Sequence, residues 1–241
     1  MERPAFDVAS IKPSEPDSPG MIGPTTGGGL NAEGMTLKTM IAWAYGVQGY
    51  QISGGPAWMY STRWSILAKP PALGSTAGVL EYEKMTDADR ASTMSLVKRR
   101  TQTLLEERFQ LTIQREAREQ TVFALSIAKG GVKMKESEDQ SQSDFIRRGK
   151  GLVIARNCRT ALLAEYLGLD LDRPVIDRTG LTAHFDFRLE FTPDSGGTAE
   201  ATDPGASLAT AVQSQLGLRL DLTKAAVDTL VIQKAEKASG N

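Results

Sequence analysis

Apolar positions along the chain alternate between a helical spacing and a strand spacing, and the switch comes four times in the same order. In "MTLKTMIAWAYG", Leu37, Met40, Ile41, Ala44 and Tyr45 fall on one helical face, with Thr36 as N-cap and Gly46 as helix stop. Strands are predicted after it at Tyr50–Ser53 and Arg63–Lys69, separated by the turn-forming "GGPAW". A second helix is predicted over Ala91–Arg108, with Val97, Thr101, Leu104 and Leu105 inward. "FQLTIQRE" and "TVFALSIAKGG" then alternate as two strands, and the charged Ala117-Arg118-Glu119 between them reads as a hairpin turn. The third segment opens "NCRTALLAEYLG", with Asn157 placed to cap and Gly168 to stop, and runs into strands "RPVID" and "AHFDFRLEF". The fourth, "ASLATAVQSQLG", puts Leu208, Ala211, Val212, Gln215 and Leu216 on one face and leads into "LRLDL" and "VDTLVIQKA".

These segments pair off. The first and third superimpose at an offset of about 122 residues, Thr36 on Cys158 and Gly46 on Gly168. The second and fourth match at about 107 in their first strands, with Phe109, Leu111 and Ile113 over Leu216, Leu218 and Leu220. The expected fold is therefore α+β, a tandem duplication of helix-plus-β-hairpin (αββ) modules whose antiparallel sheets carry helices on one face. Residues 1–134 would form the first half, the polar 135–148 a linker, and 149–241 the second half. Pro13–Gly29, Pro70–Gly78 and Pro193–Gly205 read as loops.

Composition narrows the function classes. A formal net charge of −1 argues against an electrostatic nucleic-acid binder. No apolar run is long enough for a membrane-spanning helix. The polar opening "MERPAFDVAS" is not a signal peptide, which leaves a cytoplasmic protein or one whose leader has been removed. One His and one Cys cannot build a structural zinc centre, and no calcium-loop pattern occurs, so neither a metal nor a cofactor is expected.

Five phrases then carry a family resemblance: "FDVASIKPS", "MTLKTMIAWAYGVQGYQISGGPAWM", "LLEERFQLTIQREAREQTVFALSIAKGGVKMK", "RPVIDRTGLTAHFDFRLEFTPD" and "QLGLRLDLTKAAVDTLVIQKAEKAS". Together they resemble the soil-associated Acidobacteria family of uncharacterised proteins, a domain of unknown function also found fused to sensor-type metallopeptidases. The resemblance implies export to the periplasm or beyond, with a leader before "FDVASIKP", and no established activity. The modules are also similar in pattern to the short N-terminal domain of secretins and TonB-dependent receptors. Two positions depart from the family: His184 stands where a different, often basic, residue is usual in "TGLTGxYDF", and Cys158 lies outside the family's motif.

Two candidate sites follow. Cys158 in the first turn of a helix would gain thiolate character, His184 could act as base, and Asp186 or Asp177 could orient it. Against this, Phe185, Phe187, Leu189 and Phe191 alternate with His184, Asp186, Arg188 and Glu190, which puts the histidine on a strand's polar face. Asp7 and Glu190 join Asp177 and Asp186 as further carboxylates for acid–base work. "TTGGGLNAEG" lacks a phosphate-binding pattern and reads as a hairpin loop. The second candidate is aromatic: Tyr50, Trp58, Tyr60 and Trp64 cluster around a loop suited to holding a ligand. The favoured expectation is an exported module binding a small molecule, a peptide or a protein partner. The alternative is a hydrolase of esters or phosphoesters built on His184 with Cys158 or a carboxylate.

Overall fold

The computed structural model describes residues 3–15, 17–25, 27–71, 86–138, 145–149, 151–192 and 204–238. The chain divides into two compact units, Met1–Ala117 with Asp228–Asn241, and Arg118–Val227. The divisions fall inside two long strands, not in the expected linker at 135–148. Residues 139–144 of that segment lie outside the described residues, and Lys135–Glu136 is itself a strand.

In the first unit β1 (Val8–Pro13), β2 (Met21–Thr25), β3 (Gly29–Thr36) and β5 (Arg63–Lys69) form an antiparallel sheet in the order β1-β5-β3-β2. β2 falls inside the predicted Pro13–Gly29 loop. Within "TTGGGLNAEG", Gly27 and Gly28 form the turn of the β2–β3 hairpin as expected, but Gly29–Gly34 belong to β3, whose paired backbone satisfies the groups a loop would leave to water. Between β3 and β5 come α1 (Leu37–Tyr45) and the short β4 (Ile52–Gly54). Thr36 caps α1 as predicted, its side chain accepting from the Thr39 N–H, and Gly46 ends it in the left-handed region. α2 (Asp87–Arg108) follows, closed at its start by the reciprocal Thr86–Asp89 capping box. Leu37, Met40, Ile41, Ala44, Trp64, Leu105 and Phe109 meet in this unit's core.

The predicted hairpin at 109–127 is a single strand, β6 (Thr112–Ile127). Nothing between Ala117 and Glu119 is a turn former: no Gly, Pro or Asn offers the positive φ or missing donor that reverses a chain. "LRLDL" and "VDTLVIQKA" likewise merge into β12 (Leu218–Lys234). The last part of β12, Leu230–Ile232, pairs in parallel with β4 and adds Leu230 and Ile232 to the first unit's core.

The second unit contains β7 (Lys135–Glu136), β8 (Phe145–Gly149), β9 (Leu152–Cys158), α3 (Thr160–Leu171), β10 (Val175–Asp177), β11 (Phe185–Glu190) and α4 (Pro204–Ala211). Its sheet runs β7-β11-β9-β8, and β10 pairs in parallel with the end of β6. α4 continues as a π-helical turn, Val212–Leu216, before Gly217 ends it. Arg159, not Asn157, occupies the N-cap of α3, and the helix passes through Gly168 to stop at Asp172. Asn157 instead takes a positive φ of 49° at the end of β9.

The strands after each short helix do not form the expected hairpin. β4 and β5 join different sheets, as do β10 and β11. Order and register nevertheless correspond between the units. α1 buries Leu37, Met40, Ile41 and Ala44; α3 buries Thr160, Leu163, Ala164 and Leu167 at the same spacing. Each β-ladder breaks at the same point, between Ala32 and Met35 of β3 against β5 and between Ala155 and Cys158 of β9 against β11. The left-handed Gln110 (φ 48°) before Leu111 corresponds to Gly217 (φ 69°) before Leu218.

Candidate functional site

Cys158 is the last residue of β9, not the first turn of α3, and is 1% exposed. Its thiol donates to the Arg159 carbonyl oxygen at 3.3 Å. His184 Nδ1 lies 3.1 Å from Asn157 Oδ1, the geometry of an Nδ1–H donor. Asp186 Oδ1 accepts from the Asn157 N–H (2.8 Å) and the Ser137 hydroxyl (2.6 Å). The Asn157 amide first, and Ser137 second, hold its carboxyl below the ordinary aspartate range. Asp177 is engaged separately. Its Oδ2 accepts from the Thr160 hydroxyl at 2.6 Å, and its Oδ1 from the Thr179 N–H and hydroxyl at 2.9 and 2.7 Å. The structure thus brings His184, Asn157, Asp186 and Ser137 together, and assigns Asp177 to a clasp between the start of α3 and the loop after β10.

The first unit holds a clasp matching that of Asn157, Asp186 and Ser137, although there the N–H at the irregular position goes to the serine after β1 and not to the side chain on β5. Gly34, with φ 64°, holds the place of Asn157, and its N–H donates to Ser14 Oγ at 3.2 Å. Ser14 Oγ meets Ser65 Oγ at 2.8 Å, as Ser137 meets Asp186. The Ser14 N–H donates to the Arg63 carbonyl at 3.0 Å, as Ser137 does to that of His184 at 2.9 Å. Each clasp ties the end of β1 or β7 to the irregular position in the neighbouring ladder. Such a position leaves an extra residue's backbone groups unpaired, and the clasp satisfies one of them. Gly34 is obligatory on its side, because a Cβ there would lie 2.7 Å from the Ser18 and Pro19 carbonyl oxygens. The His184–Asp186 pair occupies the places of Arg63 and Ser65, which carry no acid–base chemistry as a pair.

The aromatic candidates separate by depth. Trp64 is 3% exposed and stacks edge-on with Phe109 (centroids 5.3 Å) and with Trp58 (6.4 Å), so it is core and no ligand surface. Trp58 and Tyr50 are half-buried. Tyr60 is exposed, but its hydroxyl donates to the Gly54 carbonyl at 2.9 Å and Lys38 Nζ sits 5.3 Å from its ring centre. None of these residues lines the grooves of the second unit described next.

A groove of about 510 Å³ in the second unit runs between the end of β11 (Glu190, Phe191, Thr192) and α4 with its π-helical turn (Thr210, Ser214, Gln215). A second, of about 320 Å³, shares Thr210 and Ser214 and reaches Lys133 and Gly217. Gln215 is central: its Oε1 accepts from the Glu190 N–H at 3.0 Å, and its Nε2 donates to the Glu190 carbonyl at 2.7 Å. A side-chain amide thereby pairs with a strand edge as a peptide group would. The sequence held a clue to this residue, since Gln215 is the one polar member of an otherwise apolar helical stripe. Among the described residues no three His, Cys, Asp or Glu side chains converge, and no helix is long and apolar enough to cross a membrane.

The DUF3738 family, described as a protein of unknown function, matches residues 38–235, and the chain belongs to that family. No curated protein and no solved structure matches it.

Proposed function

For a member of a family without an assigned activity, we propose a duplicated, non-catalytic binding module whose ligand site is the polar groove beside the π-helical turn. The carrying observation is that a clasp recurs at the same place in both units, with the serine after the edge strand meeting the neighbouring strand's side chain in each. The residues that looked catalytic, His184 and Asp186, stand where the first unit uses Arg63 and Ser65 for the same structural task. Two further observations support the site. Cys158 is enclosed, and the grooves lie along α4 and its π-helical turn, a distortion frequent at functional sites. The matched order of strands and helices is what a gene duplication would leave, and among the described residues only the second unit carries a π turn.

The test has two arms. A panel of chromogenic esters and phosphoesters should show no turnover above buffer; turnover removed by His184→Ala would overturn the proposal. A random-peptide display library and a panel of soluble oligosaccharides should yield a binder on the full chain. Thr210→Trp, which fills the groove from an exposed position, should abolish that binding. A binder indifferent to Thr210→Trp would move the site elsewhere and refute the groove assignment.

A further inference from the structure

β1 and β7 hold equivalent places at the outer edges of their sheets, yet they differ in length. β1 covers β5 from Trp64 to Lys69, whereas β7 pairs only with Phe185 and Asp186 of β11. Beyond Asp186 the chain that leads into β7 turns away, and the Lys133 N–H goes to the Leu216 carbonyl. The backbone direction along β11 is fixed at both ends: the His184 carbonyl accepts from Ser137 and Glu190 is held by Gln215, while Phe191 faces the other way to Gly151. With a strand's two-residue period, the Arg188 backbone groups point to the same outer edge as those of Glu190. Their counterparts on β5 are Leu67 and Lys69, which β1 meets with Ser10 and Val8.

We propose that the outer edge of β11 at Arg188–Glu190 is a strand-acceptor site, where an extended peptide of a partner protein adds antiparallel in the register that β1 holds on β5. The proposal rests on the binding-module reading and names its partner. Gln215 is the placeholder: its carboxamide occupies the Glu190 backbone groups until a real strand displaces it. The added strand would continue the β7 ladder, and the 510 Å³ groove flanks its path at Glu190. Main-chain bonds supply affinity in such additions and alternate side chains supply selectivity. The side chains of Arg188 and Glu190 are exposed and bond each other, Nε to Oε1 at 2.6 Å. Cross-strand complementarity therefore selects an acidic residue opposite Arg188 and a basic one opposite Glu190. The residue between them, opposite Leu189, should be small and apolar, as Ala9 is opposite Ala68.

The probe is a labelled, capped peptide of residues 4–11 carrying Val8→Lys and Ser10→Glu, titrated by fluorescence anisotropy against the full chain. Its affinity should exceed that of a scrambled peptide by at least about tenfold, and Gln215→Ala should tighten it by about tenfold as the competing bonds disappear. N-methylation of the peptide at position 10, whose N–H faces β11, should weaken binding at least about tenfold; methylation at position 9 should change it less than about threefold. Equal affinity of matched and scrambled peptides, or indifference to both Gln215→Ala and N-methylation, would overturn strand addition. If an oligosaccharide binds instead and Thr210→Trp removes it, strand addition falls while the binding-module reading stands.

Discussion

Gly217 offers a sharp test of the architecture, because it ends the π turn that presents Gln215 and corresponds to a non-glycine, Gln110, in the first unit. Both residues are left-handed, so conformational strain alone would set Gly217→Ala at about 1–2 kcal/mol. The surroundings differ, however. A Cβ on Gly217 would be driven into the Gly131 carbonyl oxygen and would lie 2.9 Å from the Lys133 N. Relief requires moving backbone that holds two bonds, Ala128 N–H to Gly217 O (3.0 Å) and Lys133 N–H to Leu216 O (2.9 Å). Losing both adds roughly 1–3 kcal/mol, for a total of about 2–5 kcal/mol. In a chain of this length that lowers Tm by roughly 4–20 °C. Calorimetry on wild type, Gly217→Ala and Gly217→Asn would check it. Asparagine tolerates left-handed backbone but still carries a Cβ, so it should fail nearly as badly as alanine. Gln110→Gly, by contrast, relieves strain at an exposed position and loses one bond to Glu107, so it should shift stability by less than about 1 kcal/mol. A drop below about 2 °C for Gly217→Ala, or rescue by asparagine, would refute the steric account.

Other outcomes can be measured on the same material. Trp64→Ala should cost about 3–5 kcal/mol in urea unfolding, but Trp64→Phe much less, since the buried indole N–H has no hydrogen-bond partner among the described residues to lose. Asp186 is held below the usual carboxylate range, so its stabilisation is present above the unfolded value near pH 4 and fades as pH falls through the lower native one. Asp186→Asn should therefore destabilise most near neutrality, with wild type and variant converging in acid. The Cys158 thiol should react with Ellman's reagent on the order of a hundredfold faster in denaturant than in the native state, because modification must wait for opening.

Where local chemistry and tertiary context agreed, the sequence was easy to read. Thr36 and Gly46 bracket α1, β5 spans Arg63–Lys69 as its alternation predicts, and the phenylalanines of β11 turn inward at Phe185. Two misreadings came from taking polar residues as punctuation. Arg118 and Glu119 lie in the middle of β6 because an exposed strand face tolerates charge, and only a glycine or proline would have bent it. Asn157 resembled a helix cap because its side chain suits one, but it also suits left-handed backbone, and the ladder's irregularity made use of that property. The groove stayed hidden for a different reason. Gln215 marks itself as the polar member of its helical stripe, but Glu190 is distant in sequence and nothing local names it as the partner.

The return of β12 to the first unit has a consequence for the order of events at the ribosome. Leu230 and Ile232 complete a core whose other members are nearly all made before Arg118. At ordinary elongation rates the first unit waits on the order of ten seconds for its last strand, while the whole second unit emerges. Through that interval β4 lacks its parallel neighbour, and a folding helper or a translocating channel would meet a half-closed sheet.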